Sequence, residues 1–404
     1  MARPPEGIAW PVTGALVHAQ ESDPRPPLAA YIHIPFCTVR CGYCDFNTYT
    51  VGFGEGADLA TYSDSVIREI EMSARVLADS GRAGRPLASI FFGGGTPSLM
   101  EPADLASIMK RLGDTHGITP DAEVTLEANP ETVDKVRMRD YREAGITRVS
   151  IGMQSAVPRV LATLDRTHNP ANVGRAVEAA RDAGCQVSVD LIYGAPGETM
   201  ADWDTSVKTA IALAPDHISA YSLIIEEGTK MGRQLARGEI PTSDPDLDAE
   251  KYERADALLE QAGFEWYEIS NFSSSLDTRS THNLAYWRNW DWWGYGPGAH
   301  SHVGATRWWN VKHPRAYAGR LRADLSPGYQ GETLTEEDRR VEAVMLGIRT
   351  REGLGLESSS CAIAADLVAN GLLEESAFRD GRLILTLRGR LLADLVTRRL
   401  LAWE

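Results

Sequence analysis

"RVSIGMQSAVPRVLATLDRTHNPANVGRAVEAARDAGCQVSVDLIYG", residues 148–194, decides the fold. Its ends, "RVSIGMQS" (148–155) and "QVSVDLIYG" (186–194), are short apolar runs of strand character. Between them "ANVGRAVEAARDAG" (171–184) spaces its apolar residues as a helix does and closes on a glycine. Two strands separated by a helix do not form a hairpin. They pair in parallel, with the helix crossing over one face of the sheet.

The same rhythm extends in both directions. "AAYIHIP" (29–35), "LASIFFGG" (87–94) and "AEVTLEAN" (122–129) precede the stretch, and "HISAYSLII" (217–225) follows it. Helical patterns fill the gaps at 58–77, 104–112, 133–145 and 202–214. Six strands alternating with helices predict an α/β fold, either a barrel or a doubly wound sheet. Both place their ligand at the carboxyl ends of the strands.

That is where the polar and glycine-rich residues fall. The first strand runs into "CTVRCGYCDF" (37–46), the second into "GGGTPS" (93–98), and the third into Glu127 and Asn129. The fourth ends at Gln154 and Ser155, and the fifth carries Asp190 toward "GAPGET". Glycines at 93–95 let backbone amides approach a ligand closely. The run has no Lys-Ser/Thr ending and does not match GxGxxG, so it is not a phosphate loop. "GYGPG" (294–298) reads most simply as a turn.

Of five cysteines, Cys37, Cys41 and Cys44 cluster, while Cys185 and Cys361 stand alone and are expected as buried thiols. An odd number with three gathered together suits metal ligation in a reducing compartment better than a disulfide framework. Zinc would need a fourth donor, for which His33 is the nearest candidate. Three thiolates on a four-iron cluster leave one iron open to a small chelating ligand.

The 404 residues are 43% hydrophobic and 24% charged, ordinary for a globular chain with a sizeable core. Basic residues number 41 against 56 acidic ones, a net charge of -15, with no basic stripe, so a nucleic-acid surface is not expected. No apolar run approaches the ~18 residues of a membrane helix, and the opening "MARPPEGIAWPVTG" lacks the features of a secretory signal. A cytoplasmic location is expected.

"CTVRCGYC", with "YIHIPFC", "GGGTPS", "RVSIGMQS" and "DLIYGAPGET", resembles the CxxxCxxC loop and its surroundings in radical S-adenosylmethionine (SAM) proteins. The resemblance is to the branch holding oxygen-independent coproporphyrinogen III oxidases and HemW heme chaperones. It implies a partial (βα)6 barrel of TIM type over residues 28–300, a 4Fe-4S cluster on Cys37, Cys41 and Cys44, and SAM on the open iron. By the same resemblance Tyr31 and Tyr43 flank cluster and SAM, and Gly94, Gly95 and Thr96 meet the methionine end. Glu127, Gln154, Arg166 and Asp190 contact the rest of SAM. Carboxylates accept hydrogen bonds from ribose hydroxyls, and arginine forks onto a carboxylate.

Within that branch the oxidases resemble CxxxCxxCxC, whereas here Phe46 follows in "CGYCDF", as in the chaperones. "HNLAYW" (282–287) is similar to their HNxxYW heme-binding motif, which implies heme at His282 with Asn283, Tyr286 and Trp287 around it. Without the resemblance, 282–300 reads equally as an aromatic-rich core segment, and His300 and His302 are weaker alternative ligands. The implied partners are heme, a heme-acceptor protein and an electron donor such as a flavodoxin or ferredoxin. Radical decarboxylation of coproporphyrinogen III is the alternative activity, and a radical enzyme acting on RNA is disfavoured by the acidic balance.

Residues 1–27 are expected as an amino-terminal tail with the proline-bearing stretches "RPPEGIAWP" and "DPRPP", and residues 301–334 as a connecting segment. From Thr335 the character changes. "TEEDRRVEAVMLGIRT" opens with a capping-box pattern, Thr335 to Asp338, on an amphipathic helix. "SSSCAIAADLVANGLL", "RLILTLRGR" and "LLADLVTRRLLA" then read as helix, strand and helix, so 335–404 is expected as a small α+β domain of winged-helix type.

Overall fold

The computed structural model of the chain describes residues 6–16, 25–357 and 360–402. Six strands, β1 (Leu28–Ile34), β2 (Leu87–Gly94), β3 (Ile118–Ala128), β4 (Arg148–Gln154), β5 (Gln186–Tyr193) and β6 (His217–Ser222), pair in chain order and in parallel. The crossover helices are α1 (Tyr62–Asp79), α2 (Pro102–Thr115), α3 (Lys135–Glu143), α4 (Pro170–Asp182) and α5 (Met200–Ala212).

Alternation along each strand separates two environments. Leu28, Ala30, Ile32 and Ile34 of β1 join the main core, as do Ile90 and Phe92 of β2 and Val149 and Ile151 of β4. That core is closed from outside by Val66, Ile70 and Val76 of α1, Leu105 and Ile108 of α2, and their counterparts on the other helices. The opposite parity turns polar and aromatic residues into the barrel, where they bond one another: Arg148 to Glu123, Ser150 and Ser219 to Asp190, Tyr31 to His33.

The barrel is open and its sheet continues beyond it. Strand Asp291–Tyr295 pairs in parallel with β1, and strand Asn271–Ser273 pairs antiparallel with β6. Among the described residues the sheet has thirteen strands. Its far edge is Ile8–Ala9, paired with Gly328–Thr333, and beside it Trp10 stacks on Trp308 at 5.0 Å. Part of the segment expected as a tail is therefore built into the sheet; the first two residues of "DPRPP" and the first three of "RPPEGIAWP" lie outside the described residues.

Boundaries differ from expectation in a few places. β3 begins at Ile118, because Leu87 pairs with Ile118 across a register shift. α1 begins at Tyr62 rather than at 58. β6 stops at Ser222. Of "GYGPG", Gly294 and Tyr295 belong to a strand and only Gly296–Gly298 turn, with φ of +106° and +75° at the two glycines.

Residues from Ile348 onward gather a second apolar core from Ala364, Leu367, Leu372, Leu383 and Val396. Helix Glu336–Gly347 leads into it behind the expected Thr335–Asp338 capping box, and a two-stranded ladder joins Leu354–Gly355 to Arg382–Leu383. The expected strand at 382–390 is only two residues long, since Leu387–Leu391 is helical.

Candidate functional site

A cleft with about 930 Å³ of empty space, partly open to solvent, lies at the carboxyl ends of β1–β5. Cys37, Cys41 and Cys44 line it, together with Tyr43, Gly94, Gly95, Thr96, Glu127, Asn129, Gln154, Arg166 and Asp190. Eleven of the twelve sequence-predicted residues of the cluster and SAM sites are thus brought together. The twelfth, Tyr31, lies deeper. Ser155 is buried behind β4 against Ser206, and the end of β6 does not reach the cleft.

The cysteine loop is held close to its neighbours. The Cys37 amide donates to Tyr49 O, and Thr96 N donates to Phe36 O at 2.8 Å. A Cβ on Gly95 would stand 2.5 Å from Phe36 O and 3.0 Å from Cys37 Sγ, so nothing larger than glycine fits there. Gly94 has a φ of +112°, which only glycine adopts without strain. Burial pushes the Cys37 thiol up to about 11. Phe46 stands at the rim with 54% of its surface exposed.

The polar wall carries two carboxylates. Glu127 accepts a hydrogen bond from Gly94 N at 2.9 Å; burial, and then the neighbouring Asp190, push it up to about 7. Asp190 is raised by burial and steadied by the Ser150 and Ser219 hydroxyls at 2.8 Å. Arg166 donates to Gly152 O at 2.9 Å and points a second nitrogen at Cys41 Sγ, 3.7 Å away. Arg166 Nε and Gln154 Oε1 are buried with no partner among the described residues. Gln154 also holds a φ of +62° at a register shift between β4 and β5, a strained conformation for a residue with a side chain. Two orphaned polar atoms, a strained glutamine and a glycine cradle suit a polar ligand seated beside the thiols.

The three thiols do not close on one point. Among the described residues no three His, Cys, Asp or Glu side chains converge on a single-ion site. Zinc requires such convergence, whereas a four-iron cluster gives each thiolate its own iron. His33, the nearest fourth donor for zinc, is buried, with Nδ1 at 3.0 Å from Tyr31 Oη and Nε2 at 2.9 Å from Asn47 O.

The "HNLAYW" residues form α6 (Thr281–Trp287), which packs inside the barrel against β2 rather than in the cleft. His282 is 2% exposed; burial pushes its imidazole down to about 3. Both ring nitrogens have partners, Nδ1 with Ser89 Oγ at 2.8 Å and Nε2 with Tyr286 Oη at 3.1 Å. Its ring stacks on Phe91 at 4.8 Å and lies 6.4 Å from that of Tyr31. Tyr286 and Trp287 are half-buried, and Asn283 N donates to the Ser280 hydroxyl that caps the helix. His300 stacks on Trp309, and His302 lies edge-on to Trp292, whose ring packs in turn on Tyr286 of α6.

One expectation is corrected. Cys361 is exposed, because it opens helix Cys361–Ala369 on the solvent side; Cys185 is buried as expected. Residues around the cleft and around α6 went unread in the sequence: Ser150 and Ser219, which bond Asp190, and Ser89, Glu123 and Arg148, which bond α6 and the segment before it. Each sits on the inward parity of a strand, and that alternation was the signal available for finding them.

The family model described as "Radical SAM superfamily" matches residues 31–210. The chain is 44% identical over 385 residues to "Heme chaperone HemW" of Mycobacterium tuberculosis, covering 94% of this chain and 96% of that one. It is 32% identical to the protein of the same name in Bacillus subtilis, covering 91% and 97%. Among solved structures, coproporphyrinogen III oxidase of Escherichia coli superposes with a TM-score of 0.77 at 23% identity, over 93% of this chain and 90% of that one. At that identity the likeness speaks for the fold alone.

Proposed function

The chain belongs to the radical SAM superfamily, within its HemW heme chaperones, and on that footing we propose that it binds heme, holds a 4Fe-4S cluster and SAM, and hands heme to an acceptor protein. The observation that carries this reading is 44% identity to a heme chaperone across nearly the full length of both chains. Phe46 agrees with it, since the oxidase pattern has a cysteine there.

In this reading Cys37, Cys41 and Cys44 bind three irons. Gly94, Gly95 and Thr96 let the methionine end of SAM approach the fourth. Arg166 and Gln154 give their free atoms to it, while Glu127 and Asp190 take ribose and amino hydrogens. Tyr43 borders the cluster, and Tyr31 closes the floor of the site. Bound there, cluster and SAM supply one-electron, radical chemistry. His282 ligates heme iron, and Asn283, Tyr286 and Trp287 shape its surroundings. A flavodoxin or ferredoxin supplies the electron, and the unpaired cysteines suit work in the cytoplasm. Among the described residues no helix is long and apolar enough to cross a membrane.

Because the same scaffold serves coproporphyrinogen III oxidase, the test compares the two activities. The anaerobically reconstituted chain, given SAM, a reductant and coproporphyrinogen III, should form no protoporphyrinogen IX at a useful rate. Preloaded with heme, it should pass heme to a heme-free acceptor. Steady protoporphyrinogen formation would replace the chaperone reading with the oxidase one.

A further inference from the structure

Arg166 reaches the cysteine loop because the chain turns sharply just before it. The short helix Pro158–Thr163 ends at Leu164, and Asp165 takes a φ of +53°, a left-handed conformation that aspartate tolerates better than most residues. Leu164 O accepts from Gly42 N at 3.3 Å, so the turn is docked on the middle of the cysteine loop. The Asp165 carboxylate is committed to Lys230 at 2.8 Å. The guanidinium that follows divides its edges. Nη2 donates to Gly152 O at 2.9 Å, Nη1 donates to Cys41 Sγ at 3.7 Å, and Nε is the buried atom left for the ligand of the cleft. The three thiols therefore have unlike neighbours. Cys44 Sγ lies 3.9 Å from the Thr48 hydroxyl, and the Thr96 hydroxyl bonds Cys37. Those neighbours are neutral, whereas Cys41 faces a permanent positive charge.

We propose that Arg166 tunes the cluster: its guanidinium, held against Cys41 Sγ, raises the reduction potential of the 4Fe-4S group. This rests on the reading that Cys37, Cys41 and Cys44 hold that group. Reduction adds one electron with no bond made or broken, so the only change is one more negative charge spread over irons and sulfurs. A fixed cation in hydrogen-bonding contact stabilises the more negative state. Net charge and hydrogen bonds to sulfur are what set cluster potentials. The chain's net charge of -15 opposes an added electron, and Arg166 offsets it locally. Its place matters. Arg166 is half-buried at the wall of the cleft, where salt screens it far less than a surface cation. The division of its edges also lets one side chain serve the thiol and the bound ligand together, since Nη1 and Nε face different partners.

The test loads the full chain with iron and sulfide, leaves SAM out, and follows the cluster's electron paramagnetic resonance signal through a reductive titration. Iron and sulfide are measured on the same samples. Arg166→Gln, which keeps N–H donors but loses the charge, should lower the ratio of reduced to oxidised cluster about tenfold at the wild-type midpoint, ~59 mV for one electron. Arg166→Lys, which keeps the charge, should recover most of that shift. Arg233→Gln removes an exposed cation from helix Lys230–Ala236, which also docks on Gly42, and should leave the midpoint unchanged. An independent arm leaves Arg166 in place. With nitrogen-15 at arginine guanidinium groups, the reduced cluster should show a nitrogen-15 hyperfine coupling; the chain carries Arg40→Lys for this arm, because Arg40 also lines the cleft. An unchanged midpoint in Arg166→Gln, an equal shift in Arg233→Gln, or absence of the coupling would overturn the proposal. If Arg166→Gln takes up no cluster, the nitrogen-15 arm decides. If wild type itself takes up no iron and sulfide, the reading beneath has failed, and the proposal with it.

Discussion

Gly95 occupies the tightest place in the cleft, with Phe36 O, Ile34 O and Cys37 Sγ all within 3.0 Å of where a Cβ would stand. Gly95→Ala must push back two backbone carbonyls or the thiol itself. Reconstituted Gly95→Ala is therefore expected to lose most of its iron and sulfide, as are Cys37→Ala, Cys41→Ala and Cys44→Ala. Cys185→Ala removes a buried thiol that donates to Ile146 O and should keep both. Iron and sulfide analysis checks all five, and cluster loss in Cys185→Ala would contradict the assignment. The cysteine spacing was legible because three thiols in eight positions announce themselves. The surroundings of His282 were not. An aromatic-rich stretch does not reveal that its histidine meets a serine 193 residues earlier.

At the scale of elements, the six strands were readable within a few residues because each carries apolar side chains on one parity and is followed by a helix of amphipathic spacing. What the periodicity hides is the cargo of the buried faces. α1 looks like an ordinary crossover helix, yet its Glu69 is fully buried. It accepts from Gly296 N at 2.8 Å, Asn310 Nδ2 at 2.8 Å and Tyr317 Oη at 2.5 Å. Burial pushes it from 4.5 up to about 7, against the pull of those donors. Its folded value lies above its unfolded one, so its contribution is fully present below pH 4.5 and is lost as pH rises through 7. The shift corresponds to a loss on the order of 3 kcal/mol across that window. Chemical denaturation at steps from pH 4.5 to 8 should show Glu69→Gln with a shallower decline than wild type, whatever its stability at any one pH. Parallel curves would show that Glu69 ionises in the fold as freely as out of it.

On the scale of the whole molecule, the barrel positions both the cleft and α6 along one set of strands. β3 places Glu127 at the cleft and Glu123, four residues earlier on the same face, at the first turn of α6. The carboxy-terminal core is seated against this body through Arg390, which bonds Asp256 at 2.6 Å and lies over the Trp266 ring at 4.5 Å. Alternation of strands and helices made the barrel legible at this scale, while the seating of the second core depends on contacts across 134 residues of chain. The central claim is that one chain carries cluster and SAM at the strand ends and heme at α6. Equilibrium titration of heme into reconstituted wild type and His282→Ala, with sulfide measured before and after, tests it most directly. The account predicts saturation at about one heme per wild-type chain, much weaker binding with an altered absorption band in His282→Ala, and unchanged sulfide in both. Indistinguishable titrations of the two proteins, or heme that binds only by displacing the cluster, would contradict it.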